Sequence, residues 1–365
     1  MKKFFIGLLV SFLWIASIAA LYTYVSSLLS WKSLAILFAD KIFIGIGIAF
    51  ILIGLLFVCS LRNHKILCTL CTFLISVCAI VSSLFYFPFL FPHTLTSLEK
   101  ELEQTYLLKD CYKGEKTGDW KGEKIVAHSL GSIDGMRMVP SLETFKESVQ
   151  NGYRAMEVDF VLTSDQKLVC RHLWEDPELQ EGIDEEHIPT LETFKSKKIL
   201  GKYTPLSFQD LCKLLKEYKD VWIVTDTKDA SVEEVRANFC AMVSQAQEVD
   251  ALEVLDRFIV QSYTSSMVET VKEIYPFKNH IYATYKYWNG NVVDFVKICR
   301  WSRNHNVDAV SMWEIYYCPT IQYIADQYGL DVYVHTENDV KNAQKCLDQG
   351  ARGVYSDFIR PKDVK

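Results

Sequence analysis

Residues 154–172, RAMEVDFVLTSDQKLVCRH, hold the densest set of side chains able to do chemistry. Glu157 and Asp159 form an E-x-D pair. In a strand successive side chains alternate sides, so both carboxylates point the same way. Two like charges that close repel unless a cation sits between them, and hard oxygen ligands favour Ca²⁺ or Mg²⁺. A second predicted strand then ends at His172, and upstream the apolar run IVAH ends at His128. Two histidines able to move protons and a carboxylate pair able to hold a metal describe an active site rather than a core. Further on, Asp226 opens D-T-K, where Lys228 shares a face with that carboxylate, and His335 ends another apolar run. Glu157, Asp159 and Asp226, with one lysine and two or three histidines, can hold a divalent cation beside a phosphate.

The elements that must position these groups are short and regular. After Glu123 the chain alternates β-rich runs with amphipathic segments. Strands are predicted at 125–128, 155–161, 168–172, 222–226, 258–262, 280–284, 308–312, 331–335 and 353–356. Seven helical segments lie among them, from SLETFKESVQ to NDVKNAQKCLDQG. Strand–helix alternation at this interval implies a parallel sheet with right-handed crossovers, and its length suits an α/β fold closed as a (β/α)₈ TIM barrel. Nine runs are one too many for eight staves, so one short run is expected as an edge or loop piece. Catalytic groups in such barrels sit at the C-terminal strand ends, where His128, His172, Asp226 and His335 fall. Trp313, beside another strand end, can shape an apolar part of the pocket.

The chain is uneven in polarity. Residues 4–26, 42–61 and 66–92 carry no charged side chain, and each is long enough to cross a hydrocarbon core. They predict a membrane module of three transmembrane helices over 1–92, a juxtamembrane connector over 93–122 and the barrel over 123–365. Lys2, Lys3, Arg62 and Lys65 lie on one side of such a module. The positive-inside rule makes that side cytoplasmic, so a multi-pass protein of the cell membrane with an extracytoplasmic barrel is expected. The net charge of −6, without a basic stripe, excludes a nucleic-acid partner. Of eleven cysteines, Cys59, Cys68, Cys71 and Cys78 fall in or beside the apolar runs. The other seven show no disulfide framework.

Taken in order, the motifs of residues 124–360 resemble the glycerophosphodiester phosphodiesterase family, a (β/α)₈ group related to bacterial phosphatidylinositol-specific phospholipase C. IVAHSLG stands where that family has a strand ending in His-Arg-Gly. Gly152 through Glu157 and Asp159 match Gly-x-x-x-x-Glu-x-Asp; Thr163, Asp165 and His172 match Thr-x-Asp and the second histidine. Asp226 and Lys228 stand for Glu-x-Lys, residues 335–338 for Trp-Thr-x-Asn, and residues 350–357 for Gly-x-x-Gly-x-x-Thr-Asp. The resemblance implies metal-dependent hydrolysis of glycerophosphodiesters to glycerol 3-phosphate and an alcohol. Glu157, Asp159 and Asp226 would be metal ligands, His128 and His172 the acid and base, and Ser129, Lys228 and His335 substrate contacts, with Trp313 added to these contacts from its place near a strand end and not from a family motif.

The departures bear on substrate more than on reaction class. Ser129 replaces the arginine that contacts phosphate, Leu173 the aspartate after the second histidine, and His335 a tryptophan; Asp226 is one methylene shorter than glutamate. The alternatives are a lipid-cleaving relative of phospholipase C or lysophospholipase D type, acting on phospholipid-derived substrate at the membrane, and a non-catalytic phosphodiester-binding barrel.

Overall fold

The short apolar runs after Glu123 become strands buried on nearly all positions, as a parallel sheet wrapped in helices requires. A computed structural model describes residues 119–365, apart from 177–178, 230 and 289–291. The expected membrane module (1–92) and nearly all of the connector (93–118) lie outside the described residues. No helix among the described residues is long and apolar enough to cross a membrane.

The strands are β1 (Ile125–Ala127), β2 (Ser132–Ile133), β3 (Met136–Arg137), β4 (Ala155–Leu162), β5 (Leu168–Cys170), β6 (Trp222–Asp226), β7 (Phe258–Ser262), β8 (Asn279–Ala283), β9 (Ala309–Trp313), β10 (Asp331–His335) and β11 (Gly353–Ser356). Eight of them form one parallel barrel, ordered β1-β4-β6-β7-β8-β9-β10-β11, which closes because β1 pairs with both β4 and β11. Helices α1 (Leu142–Gln150), α2 (Leu191–Ser196), α3 (Phe208–Glu217), α4 (Val232–Glu248), α5 (Ser265–Ile274), α6 (Val292–Asn304), α7 (Pro319–Gln327) and α8 (Val340–Asp348) lie between strands. Ser141, Ser207, Ser231, Thr264 and Asp339 cap five of these helices, each side chain accepting a backbone N–H three residues on.

The run at 168–172 is the supernumerary strand. β4 continues past the barrel rim, and β5 folds back on that extension antiparallel, Phe160 facing Cys170 and Leu162 facing Leu168. Strand β5 stops at Cys170, so His172 lies on the loop beyond a strand and does not end a stave of the barrel. Thr163 of the Thr-x-Asp motif holds the connecting turn, its hydroxyl donating to Asp165 (2.6 Å) and to the Lys167 carbonyl. The hairpin β2–β3 and helix α2 were not among the predicted elements; both are too short to show a period.

Every stave contributes one buried residue to the barrel interior: Val126, Ala155, Val224, Ile259, Ile281, Ala309, Tyr333 and Tyr355. Trp120 closes the N-terminal end, stacked on Tyr333 at 5.1 Å between ring centroids and bonded through its indole N–H to Asn279 (3.0 Å). Counting by two from this layer gives the side chains that point inward at the other end. Ala155 leads to Glu157 and Asp159, Val224 to Asp226, Tyr333 to His335, Tyr355 to Asp357 and Val126 to His128. The alternate residues pack outward, as where Phe160 meets Phe208 of α3.

Candidate active site

The C-terminal end of the barrel gathers the acidic groups that the strand pattern aligned. Glu157, Asp159 and Asp226 are each 2% exposed, and one carboxylate oxygen of each lies within 4.8 Å of the others. Main-chain pairing of Asp159 with Asp226 across β4 and β6 sets this approach. Burial and the like charge of Asp159 push the Glu157 carboxyl up to about 8. Burial would do the same to Asp226, but Lys228 and the Tyr263 hydroxyl outweigh it and hold that carboxyl below its usual range. Lys228, just past β6 at φ +52°, reaches back so that its Nζ contacts Asp226 and lies 2.9 Å from Asp159 Oδ1. The contact with Asp159 is off the axis of a hydrogen bond, and neither Asp159 oxygen accepts one among the described residues. A buried carboxylate oxygen without a donor, as at Asp159 Oδ2, costs free energy, and the three converging carboxylates make a donor set suited to a hard divalent cation.

His128 stands beside this trio. Its Nε2 is 4.0 Å from Glu157 Oε2, while the Nδ1–H donates to Asp357 Oδ1 at 2.7 Å. A carboxylate can only accept, so the bond fixes the proton on Nδ1 and turns Nε2 toward the acidic floor. Burial would lower the imidazole, but the Asp357 bond and the surrounding carboxylates push it up to about 8. Asp357 is fully buried and is itself held by the Asn338 amide (2.7 Å). The Ser129 backbone N–H donates to Glu157 Oε2 at 2.8 Å, and its Oγ is buried with no hydrogen-bond partner among the described residues.

His172 is placed differently. It does not contact the trio; its Nδ1 bonds Asp176 (2.9 Å), and that carboxylate also accepts the Leu173 backbone N–H. Its link to the site is through the main chain, where the neighbouring Arg171 N–H donates to the Asp159 carbonyl at 3.1 Å. Asp176 therefore supplies the carboxylate that Leu173 does not.

His335 is buried, its ring stacked on Tyr285 (5.1 Å) and edge-on to His128 (4.8 Å). Burial, then the positive charges of His128 and Lys228, hold it well below the ordinary histidine range, so its ring is neutral. Trp313 packs on His335 and Tyr285 and donates its indole N–H to the Tyr285 carbonyl (3.2 Å), with 37% of its surface exposed.

Of known proteins, the glycerophosphoryl diester phosphodiesterase family matches residues 139–360 of this sequence. The chain belongs to that family. Its barrel is also similar in fold to a phosphodiesterase from Oleispira antarctica solved in complex with the product sn-glycerol-3-phosphate. That likeness has a TM-score of 0.54 and 15% identity over 66% of this chain and 94% of the other. A putative glycerophosphodiester phosphodiesterase from Galdieria sulphuraria gives 0.53 and 17%, over 66% and 95%. One from Silicibacter pomeroyi gives 0.52 and 15%, over 66% and 91%. No curated protein sequence matches.

Membership makes the chain an enzyme, a phosphoric diester hydrolase of the glycerophosphodiester phosphodiesterase type. The matched span begins after His128 and Ser129, so those two are tied to the site by geometry. The motif matches contained Asn338 and Asp357 without giving them a role, and they left out Asp176, Tyr263 and Tyr285. For the tyrosines a signal was present: they lie four residues beyond the interior residues Ile259 and Ile281, in step with the inward side of β7 and β8. Both hydroxyls donate to Asp226, and these bonds brace the shorter side chain that stands in place of glutamate.

Proposed function

We propose that this enzyme hydrolyses glycerophosphodiesters to glycerol 3-phosphate and an alcohol with the aid of a divalent cation. The observation that carries the reading is the buried trio Glu157, Asp159 and Asp226 with His128 Nε2 set 4.0 Å from it. A cation held by these carboxylates, Ca²⁺ or Mg²⁺ by the hardness of the donors, would withdraw charge from a phosphoryl oxygen. His128 and His172 share the proton work, one accepting the proton of the attacking hydroxyl and the other donating one to the leaving alcohol oxygen. The new P–O bond forms from that hydroxyl as the ester bond to the alcohol breaks; where the hydroxyl is the glycerol's own, the same pair then adds water across the cyclic phosphodiester, so the net reaction consumes one water and leaves glycerol 3-phosphate. Both imidazoles are built for this in the same way, Nδ1 on an aspartate and Nε2 left for the substrate. Lys228 and the Ser129 hydroxyl face the phosphate, while Trp313 and neutral His335 wall the organic part of the substrate. The product named for the Oleispira antarctica relative supports glycerol 3-phosphate as the ester released.

The apolar runs before residue 92 support a membrane-anchored reading, with the barrel on the outer side near its substrate. Protease added to intact cells should then clip the barrel; protection until lysis would reverse the topology. The activity is tested with the full chain on glycerophosphocholine. Release of glycerol 3-phosphate should stop in excess chelator and return with Mg²⁺ or Ca²⁺. Choline release from lysophosphatidylcholine, with none from glycerophosphocholine, would replace this reading with the lipid-cleaving one.

A further inference from the structure

An anionic substrate must approach a site whose own charges are mostly negative. Glu157, Asp159, Asp226 and Asp357 converge there, and Lys228 is already shared between two of them. The residue after His128, Ser129, adds no charge, its backbone N–H is occupied by Glu157, and its backbone is left-handed at φ +48°. Lys286 lies to the other side, held by the carbonyls of Lys228 and Asp229 and seated over the Tyr263 ring.

Among the described residues, one basic group remains at the His128 side. The chain leaving His128 turns through the hairpin β2–β3, and its last residue, Arg137, returns to the site. Arg137 Nη1 donates to Asp357 Oδ2 at 3.4 Å, and the opposite oxygen of the same carboxylate holds His128 at 2.7 Å. One carboxylate therefore spaces the guanidinium from the imidazole. Asp357 is fully buried, whereas the Arg137 side chain is 63% exposed and makes no other hydrogen bond among the described residues. An arginine anchored by one nitrogen, with the rest of its planar fork facing solvent beside a catalytic histidine, is arranged to take a second anion. A guanidinium grips phosphate oxygens in pairs, which neither a lysine nor a serine does.

We propose that Arg137 is a substrate-binding residue that grips the phosphate of the diester, supplying from the hairpin the fixed positive charge that position 129 lacks. The proposal rests on the phosphodiesterase reading and deepens it. It explains how a chain with serine after its first histidine keeps a phosphate site: the charge arrives eight residues later in the sequence, over a hairpin that folds back on the rim.

The test measures binding and turnover separately, on the full chain. Glycerol 3-phosphate binding is read by calorimetry, and KM and kcat by hydrolysis of glycerophosphocholine, for wild type, Arg137→Gln, Arg137→Lys and the double variant Ser129→Arg/Arg137→Gln. Arg137→Gln should weaken glycerol 3-phosphate binding about ten-fold and raise KM in proportion, with kcat changed far less. Arg137→Lys should fall between, because charge is kept and the fork is lost. The double variant should recover much of the loss, since arginine returns next to His128. A purely structural Arg137, acting through Asp357, would lower kcat and shift its pH profile while leaving glycerol 3-phosphate binding intact; that result overturns the proposal. Wild type that binds glycerol 3-phosphate through Arg137 yet hydrolyses no diester would sink the hydrolytic reading and leave the anion site standing. Wild type that binds no glycerol 3-phosphate overturns the site itself.

Discussion

The two histidines sit in regions of opposite character. His128 and Asp357 lie 229 positions apart in sequence and meet where β1 and β11 close the barrel, with side chains 14% and 0% exposed. His172 and Asp176 are four residues apart on the long segment between β5 and α3, with side chains 27% and 25% exposed. The first pair exists only if the barrel closes, and is held by neighbours on both sides. The second is made within a single turn of chain and is open to solvent. The same chemical unit is thus built once from the fold and once from a loop. The contrast predicts that damage to the first will cost stability and rate together, and damage to the second rate alone.

The largest effect should come from the imidazoles. His128→Ala and His172→Ala should each lower kcat roughly 10²- to 10⁴-fold, as expected for loss of a positioned acid or base. Steady-state hydrolysis of glycerophosphocholine checks this, and a near-normal rate in either variant removes that residue from the proton work. Asp159→Asn should cost comparably and weaken cation affinity, read by titrating activity against Mg²⁺ or Ca²⁺.

The aspartates sharpen the comparison. Asp357→Asn removes a charge from a buried pair and should destabilise the barrel by about 3 kcal/mol, measured by urea unfolding. Asp176→Asn, in a partly exposed pair, should cost no more than about 1 kcal/mol. Equal losses would show that burial does not separate the two regions. Gly131→Ala belongs with the barrel-side set. Gly131 follows His128 and Ser129 at φ +105°, and a Cβ there would meet Ser148 Oγ at 2.5 Å. Strain and crowding together should cost about 2 kcal/mol and lower kcat, because the turn carries His128.

The smallest effect is in pH. Burial would raise the Asp357 carboxyl, but hydrogen bonds from His128 and Asn338 hold it below its ordinary 3.8. Its contribution to stability is in place above that value and is lost as the pH falls through the lower folded one. His128 is raised from 6.5 to about 8, so its contribution is in place below 6.5 and is lost as the pH rises through about 8. With chelator present, unfolding midpoints should therefore be highest, as far as this pair decides, between about pH 4 and 6.5. Asp357→Asn should flatten both edges of that window, and an unchanged profile would mean the pair titrates alike in folded and unfolded chains.

Much of this was legible from residue order because the relevant physics is local. Alternation along a strand puts Glu157 and Asp159 on one face, and the strand-end rule for such barrels puts Asp226 and His335 at the catalytic rim. The surplus ninth run was recognisable by count, although not which one it was. LVCRH is as apolar as a barrel strand, and only its pairing with the overhanging end of β4 made it antiparallel. Asp357 was visible inside the final motif, but nothing within eight residues of it indicates a histidine as partner.

By itself, then, the sequence determined the class of chemistry, the eight-fold strand–helix rhythm and the inward carboxylates, since each depends on side-chain type and a spacing of a few residues. Tertiary structure alone decided who meets whom. Closure of β1 on β11 joined His128 to Asp357, the hairpin carried Arg137 to that carboxylate, and adjacent β7 and β8 delivered two tyrosines to Asp226. Those contacts join residues tens to hundreds of positions apart. They follow from barrel geometry, where strands remote in sequence become neighbours at one rim, and no local periodicity encodes them.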